Sequence, residues 1–421
     1  MACGAPADDG VSADDARGDL GLSRDITDTA VQLDLASKRA TATIRVAPFS
    51  GRALAFEVGD LSVESVRVDG EAQKFTLADG KFRGKRLDLS VPPTRDERTI
   101  EITYTFRAQP DLHGFVEAKK TSFTWPAFCQ NLFPCHSSPA DGARFALEVS
   151  GVPAGNTLIA PRRLDADAPS YMLAFAYGDY TRHELGVTSA GTKTFVYTTP
   201  NTDSAGLRGS AHLTEAVEWL ETHLGPYTFG DEVGSVAADW GPSGFGGMEH
   251  HPYWHIANAS MGEVETHTHE AAHGWYGNGV RIACWEDFVL SEGTTTYLET
   301  IVTGSIAGNE AQLWSTLERS LRSPGSGDAV AWLTGDGCNR IDLVTHPLWS
   351  RAPYDKGAFF YRAVEQEIGR DALIDVLSAF YKENVGTAKR MSDMLDAIEA
   401  RTGFDPRPLA KSWLQSTTIP R

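Results

Sequence analysis

HTHEAAHGWYGN, residues 267–278, puts three histidines and one glutamate into seven consecutive positions. On an α-helix, residues four apart lie above one another on the same face. Only His269 and His273 have that spacing here. His267 precedes His269 by two positions, on roughly the opposite side, and is expected at the helix start near solvent. Two converging imidazoles with Glu270 beside them form the H-E-x-x-H pattern, in which neutral histidines bind Zn²⁺ and the glutamate activates its water. A catalytic zinc site normally takes three protein ligands, so the stretch predicts a carboxylate on the following helix. WEDFVLSEGTTTYLE, residues 285–299, offers Glu286, Asp287, Glu292 and Glu299.

The rest of the chain is compatible with an enzyme of two or three domains. It has 421 residues, 41% hydrophobic and 22% charged, the profile of a globular protein. A formal net charge of −18 argues against nucleic acid as a partner, because phosphate binding needs a basic face. No run of 18 apolar residues is present, so no transmembrane segment is expected. Residues 1–24 are small, acidic and poor in aromatics, and read as a disordered leader or tether. Within it, Ala-Cys-Gly around Cys3 resembles the end of a bacterial lipoprotein signal. Cys3 is therefore either a lipid anchor of an exported protein, in the cell envelope or outside the cell, or an ordinary exposed thiol of a protein that stays in the cytoplasm. Without Cys3 there remain Cys129, Cys135, Cys284 and Cys338, an even set with three pairings and no C-x-x-C spacing. Export would pair Cys129 with Cys135 and Cys284 with Cys338; four buried thiols are the alternative.

Two characters divide the chain. Residues 25–188 alternate apolar and polar in short runs such as ATATIRVAPF and RTIEITYTF, separated by Gly, Pro, Asp and Asn, and predict an all-β domain. From 189 to 421 a few strands give way to helices with period-3.6 apolar faces. The first of these is a helix carrying Leu213, Val217, Leu220 and Leu224, with Gly225 as its stop.

Eighteen residues separate His273 from Glu292, which sits in Leu-Ser-Glu-Gly. This spacing, with Gly-Trp-Tyr-Gly-Asn after His273, resembles the zinc signature of the M1 metallopeptidases, the gluzincin aminopeptidases. Gly246-Gly247-Met248-Glu249-His250 is similar to the family's G-x-M-E-N strand, and Tyr354-Asp355-Lys356-Gly357 to its Y-x-K-G motif. Phe133-Pro134-Cys135-His136-Ser137-Ser138-Pro139 is similar to its F-P-C-x-D-E-P turn. The resemblance implies an α+β, multidomain chain: an N-terminal all-β, saddle-like domain followed by a thermolysin-like, mainly α-helical catalytic domain. It further implies a two-domain member, complete without the β-sandwich or helical bowl that usually follows.

The activity so implied is zinc-dependent removal of N-terminal residues from peptides with a free N-terminus. One Zn²⁺ per chain would be held by His269, His273 and Glu292, with Glu270 as general base and Tyr354 stabilising the tetrahedral intermediate. Glu249, with Gly246, Gly247 and Met248, would hold the substrate's α-amino end. Two departures bear on this: His250 replaces the motif's Asn, and Trp125 stands where the family places a second amine-gripping Gln or Glu. Trp125 is expected either to wall the pocket for the first side chain or to be core. The alternatives are an endopeptidase or dipeptidyl-type peptidase with an open cleft, and a non-catalytic M1-like interaction module. Among the remaining groups, Glu299 lies seven residues after Glu292 on a similar face of the same helix, which offers it a place beside the ligands, but a solvated carboxylate is the expected reading. Glu286 and Asp287 are expected as caps of the helix bearing Glu292. Lys356 is expected to serve packing or a backbone contact.

Overall fold

The computed structural model describes residues 21–80, 84–241, 245–323, 326–335, 338 and 341–420. Cys3 and the leader through residue 20 lie outside them. Order begins before the expected boundary at 25, since Arg24 donates to the Ala53 carbonyl at 3.1 Å and lies over the Phe49 ring.

The N-terminal part is built on a seven-stranded sheet in the order Arg163–Pro169, Gly142–Ser150, Ile26–Asp34, Arg39–Val46, Arg98–Thr105, Ser62–Val68, Glu71–Ala72. Strand Arg39–Val46 shows why the alternating sequence folds this way: Ala40, Ala42, Ile44 and Val46 are buried, while Arg39 and Arg45 face solvent. A three-stranded sheet of Ala53–Gly59, Lys85–Ser90 and Phe75–Asp79 adds Leu54, Phe56, Val58, Leu87 and Leu89 to the same core. Disulfides join Cys129 to Cys135 and Cys284 to Cys338. Within the F-P-C turn, Ser137 donates its backbone N–H and its hydroxyl to buried Glu57. A four-stranded sheet includes Thr121–Phe123 and carries the chain on to Trp125.

A five-stranded sheet opens the second part, in the order Thr181–Val187, Lys193–Thr198, Glu232–Ala238, Tyr253–Ala257, Gly247–Met248. The boundary expected at 188/189 falls between its first two strands, which pair antiparallel, so this sheet begins at Thr181. Sequence alternation could not assign that strand, because it reads the same in either sheet. Helices α1 (Asp203–Gly209) and α2 (Leu213–Leu224) make the crossover between two parallel strands. Leu213, Val217, Leu220 and Leu224 are buried, and Gly225 ends α2.

The sheet then gives way to helices: α3 (Val264–Ala272), α4 (Phe288–Ala307), α5 (Glu310–Leu321), α6 (Ala352–Ile368), α7 (Arg370–Asn384), α8 (Met391–Thr402) and α9 (Arg407–Trp413). Helix α4 is buried along most of its length and forms the centre of this bundle. It meets α6 backbone to backbone. A Cβ at Gly293 would lie 2.7 Å from the Gly357 Cα, and one at Gly357 only 2.4 Å from the Gly293 Cα. This glycine pair lets Glu292 and Tyr354 face a common space. Among the described residues, no helix is long and apolar enough to cross a membrane.

Candidate active site

His273 caps α3 with helical dihedrals, so His269 and His273 keep the one-turn phase that the spacing predicts. The Nε2 atoms of the two rings are 3.2 Å apart. Glu292 Oε2, from α4, lies 3.2 Å from Nε2 of His269 and 3.4 Å from Nε2 of His273. Tetrahedral zinc with bonds of about 2.0–2.2 Å needs donor atoms about 3.3–3.6 Å apart. The three atoms therefore already stand at the corners that such an ion requires.

The far side of each ring is also fixed. His273 Nδ1 is 3.0 Å from the Tyr276 carbonyl, and His269 Nδ1 is 2.8 Å from Glu299 Oε2. Both neighbours are acceptors, so each Nδ1 carries the hydrogen and each Nε2 lone pair points at the shared centre. Glu299 is thus not the solvated carboxylate expected from the sequence. Seven residues beyond Glu292, nearly two turns on, it returns to the same helix face, so the alternative that the spacing offered is the one the structure shows.

Charges in the cluster confirm that its geometry suits a cation. Burial works against ionising Glu292, yet His273 and His269 outweigh it and hold the carboxyl at about 2. Burial likewise disfavours charged imidazoles, but Glu292 and Glu249 push His273 up to about 9. Without a metal, protons occupy the place that a divalent ion would take.

Glu270 lies beside this triad and is grouped with His273 and Glu249. The ligand atoms of these three residues lie within 4.8 Å of one another. Burial, helped by Glu249 and opposed by His269 and His273, pushes the Glu270 carboxyl up to about 8. Its Oε2 is buried and has no hydrogen-bond partner among the described residues. Gly247 makes room for it, since a Cβ there would sit 2.1 Å from Glu270 Oε1. Glu249 is 2% exposed, and burial raises its pKa too.

Two polar side chains brace this arrangement. Asn278, of the Gly-Trp-Tyr-Gly-Asn run, donates to the Glu249 carbonyl at 2.7 Å and accepts from the Tyr171 hydroxyl at 3.3 Å. His251 bonds the Glu270 carbonyl through Nε2 and the Tyr227 hydroxyl through Nδ1, each at 2.8 Å. His250 and His255 meet through their Nδ1 atoms at 3.2 Å, away from the triad. His267 corrects its expectation: it is buried, bonded to the Ser235 hydroxyl at 2.7 Å and the Met261 carbonyl at 3.0 Å. Asp287 does not cap α4 with its side chain. It accepts instead from Met391 N–H, at the start of α8, and from Trp332 Nε1. Lys356 donates to the carbonyls of Ala329 and Ser416, both at 2.6 Å.

The triad, Glu270, Glu249 and Glu299 open on one cleft of about 800 Å³. Gly246, Gly247, Met248 and Glu249 line it along one edge, and α5 lines it through Gln312, Leu313, Thr316 and Leu317. Trp125, Phe245, Trp349 and Tyr354 complete the lining. The Tyr354 ring stacks on His269 at 6.0 Å between centroids. Trp125 is both wall and core, since it lines the cleft and also packs on Trp285 and Phe288.

The Peptidase family M1 domain matches residues 256–413, the segment holding the triad, Glu270 and Tyr354. Over that segment the chain is similar to peptidase family M1. Leucine aminopeptidase 2-1 of Meyerozyma guilliermondii is 24% identical over 353 residues, covering 74% of this chain and 54% of that protein. Leukotriene A-4 hydrolase of Xenopus laevis is 24% identical over 371 residues, covering 78% and 59%. The chain thus spans little more than half the length of these curated relatives. An M1 zinc metallopeptidase of Deinococcus radiodurans, solved with a Tyr-Ser-Ala substrate, superposes with a TM-score of 0.78 at 16% identity. That match covers 94% of this chain and 96% of the other. The fold is therefore that of the M1 enzymes, a β-rich domain followed by a helical one, and zinc is the metal of the M1 structures it resembles.

Proposed function

We propose that this chain is an M1 zinc aminopeptidase that removes single residues from the free N-terminus of peptides, with one zinc per chain. The observation that carries the reading is the position of Glu249. It is a buried carboxylate beside Glu270 and His273, at the edge of a cleft lined by the triad, and no lysine or arginine pairs with it among the described residues. A carboxylate so placed suits an ammonium, through attraction and hydrogen bonding in a site shielded from water. It would set the substrate's register so that the first peptide carbonyl faces His269, His273 and Glu292.

Zinc held by those three residues supplies Lewis acidity, which polarises the carbonyl and lowers the pKa of a bound water toward about 7. Glu270 takes the proton from water as its oxygen attacks the carbonyl carbon. The same carboxyl then gives that proton to the amine as the C–N bond breaks. Burial suits Glu270 to the exchange by making it more basic than an exposed carboxylate. The phenol of Tyr354, whose ring stacks on His269, donates to the oxyanion. We also propose that the protein works in an oxidising compartment, outside the cytoplasm or in the cell envelope, a placement supported by its two disulfides. Cys3 would serve there as the lipid anchor.

The test is a set of peptides and aminoacyl fluorogenic substrates, each with a free and an acetylated N-terminus. Acetylation removes the charge that Glu249 would hold, and a buried carboxylate without its partner costs about 3–5 kcal/mol. That corresponds to roughly two to three decades in kcat/KM. Glu249→Gln should lower turnover of free substrates by a comparable factor, leave zinc content unchanged, and shrink the preference for free N-termini. Internal cleavage of acetylated peptides as fast as free ones would replace this reading with an endopeptidase. Absence of any turnover by zinc-loaded protein would leave the interaction module.

A further inference from the structure

An ammonium held by Glu249 constrains the rest of the substrate's first residue. Its Cβ lies two bonds from that nitrogen, about 2.5 Å away by standard bond lengths. The side chain must therefore leave from the neighbourhood of residues 245–249. Beside this segment the cleft wall is aromatic and uncharged. Phe245 is 46% exposed, although large hydrophobic side chains are mostly buried in this protein. It stacks on Phe123 at 5.4 Å and meets Trp125 edge-on at 5.5 Å. Trp125 meets Trp349 edge-on at 5.1 Å, and Trp349 meets Phe288 in the same way at 4.9 Å. Phe288 in turn meets Tyr354 at 5.9 Å. Phe245, Trp125, Trp349 and Tyr354 thus line the cleft from the amine-holding segment to the group that faces the scissile carbonyl, with buried Phe288 packed behind them.

We propose that Phe245, Trp125 and Trp349 form the pocket for the substrate's first side chain and select large aromatic residues there, Phe, Tyr and Trp, over small or charged ones. The inference rests on the aminopeptidase reading and names its substrate class. An aromatic side chain can extend the edge-to-face series that already lines the wall, with contact area that a methyl group cannot supply. A charged side chain would lose its hydration against this wall without gaining a counter-ion. The cleft's other charges, Glu263, Glu265, Glu299 and Arg351, come from the starts of α3 and α6 and from α4. Glu249 itself is occupied by the ammonium.

The test compares aminoacyl fluorogenic substrates carrying Phe, Tyr, Trp, Leu, Ala, Lys and Glu, with zinc content measured for every protein. A single methylene in an apolar pocket changes kcat/KM by about tenfold or more, so Phe should exceed Ala by about a hundredfold. Phe245→Ala and Trp125→Phe should each lower that ratio by about tenfold. Phe245 is exposed enough for its variant to fold even if Trp125 tolerates no change. Independently of turnover, calorimetric titration should show L-phenylalanine binding the zinc-loaded protein at least about tenfold tighter than L-alanine. A flat or Ala-preferring profile among cleaved free substrates would overturn the inference while leaving the aminopeptidase reading intact. A Phe-to-Ala ratio unchanged in both variants would equally overturn the assignment to this wall. Failure to cleave any free N-terminus would instead remove the reading on which it rests.

Discussion

The carboxylate of Glu299 is predicted to set the zinc affinity of this protein without touching the metal. It accepts from His269 Nδ1 at 2.8 Å, with a side chain one-fifth exposed. A hydrogen bond to a charged group contributes about 1.5–3 kcal/mol, and partial exposure places this one in the lower half of that range. Carboxylate partners of metal-binding histidines typically change affinity by about ten- to a hundredfold, which agrees. Glu299→Ala removes both acceptor and charge, and should weaken zinc binding by about ten- to fiftyfold. Glu299→Gln keeps an acceptor and loses the charge, so its loss should be smaller. The measurement is competition for zinc against a chromophoric chelator at fixed pH, using apoprotein with a verified melting profile. Substrate KM at saturating zinc should change little, because Glu299 acts through His269. If Glu299→Ala binds zinc within twofold of the parent while folding normally, the reasoning fails, and the 2.8 Å contact does not orient the ring.

Three further outcomes follow from the same geometry. Tyr354→Phe should lower kcat by about a hundred- to a thousandfold for free and acetylated substrates alike, the effect of losing one oxyanion donor, as single-turnover kinetics would show. Zinc affinity should rise with pH. His273 in the apoprotein holds its proton until about pH 9 because of Glu292 and Glu249, so binding below that pH must release a proton. Calorimetry in buffers of different ionisation enthalpy would count that proton, and a pH-independent affinity between 6.5 and 9 would contradict it. Finally, Gly293→Ala should destabilise the protein by about 1–3 kcal/mol in denaturant titration. Its Cβ would meet the Gly357 Cα at 2.7 Å, and backbone cannot rotate away as a side chain can.

The sequence by itself determined whatever depends on spacing along one element. One helical turn brings His269 and His273 together, and an eighteen-residue interval carries Glu292 onto the next helix. Alternation in ATATIRV buries one face of a strand, and Leu213, Val217, Leu220 and Leu224 bury one face of α2. Each of these is a local regularity, and local geometry is nearly independent of what packs against it. Glu299 was legible in principle, since its seven-residue offset from Glu292 needed only to be weighed against solvation. Other features had no such signal. The burial of His267 depends on Ser235 and Met261, and the grip of His251 on the Glu270 carbonyl joins a segment after one strand to the helix beyond it. Thr181–Val187 joined the second sheet because its partner strand lies there, and a strand's own pattern does not name its partner. The aromatic wall gathers Trp125, Phe245 and Trp349 from three separate stretches of chain. Residues so distant share a surface only after the β-rich part has docked on the helices, and the tertiary structure alone decides which side chains line the cleft.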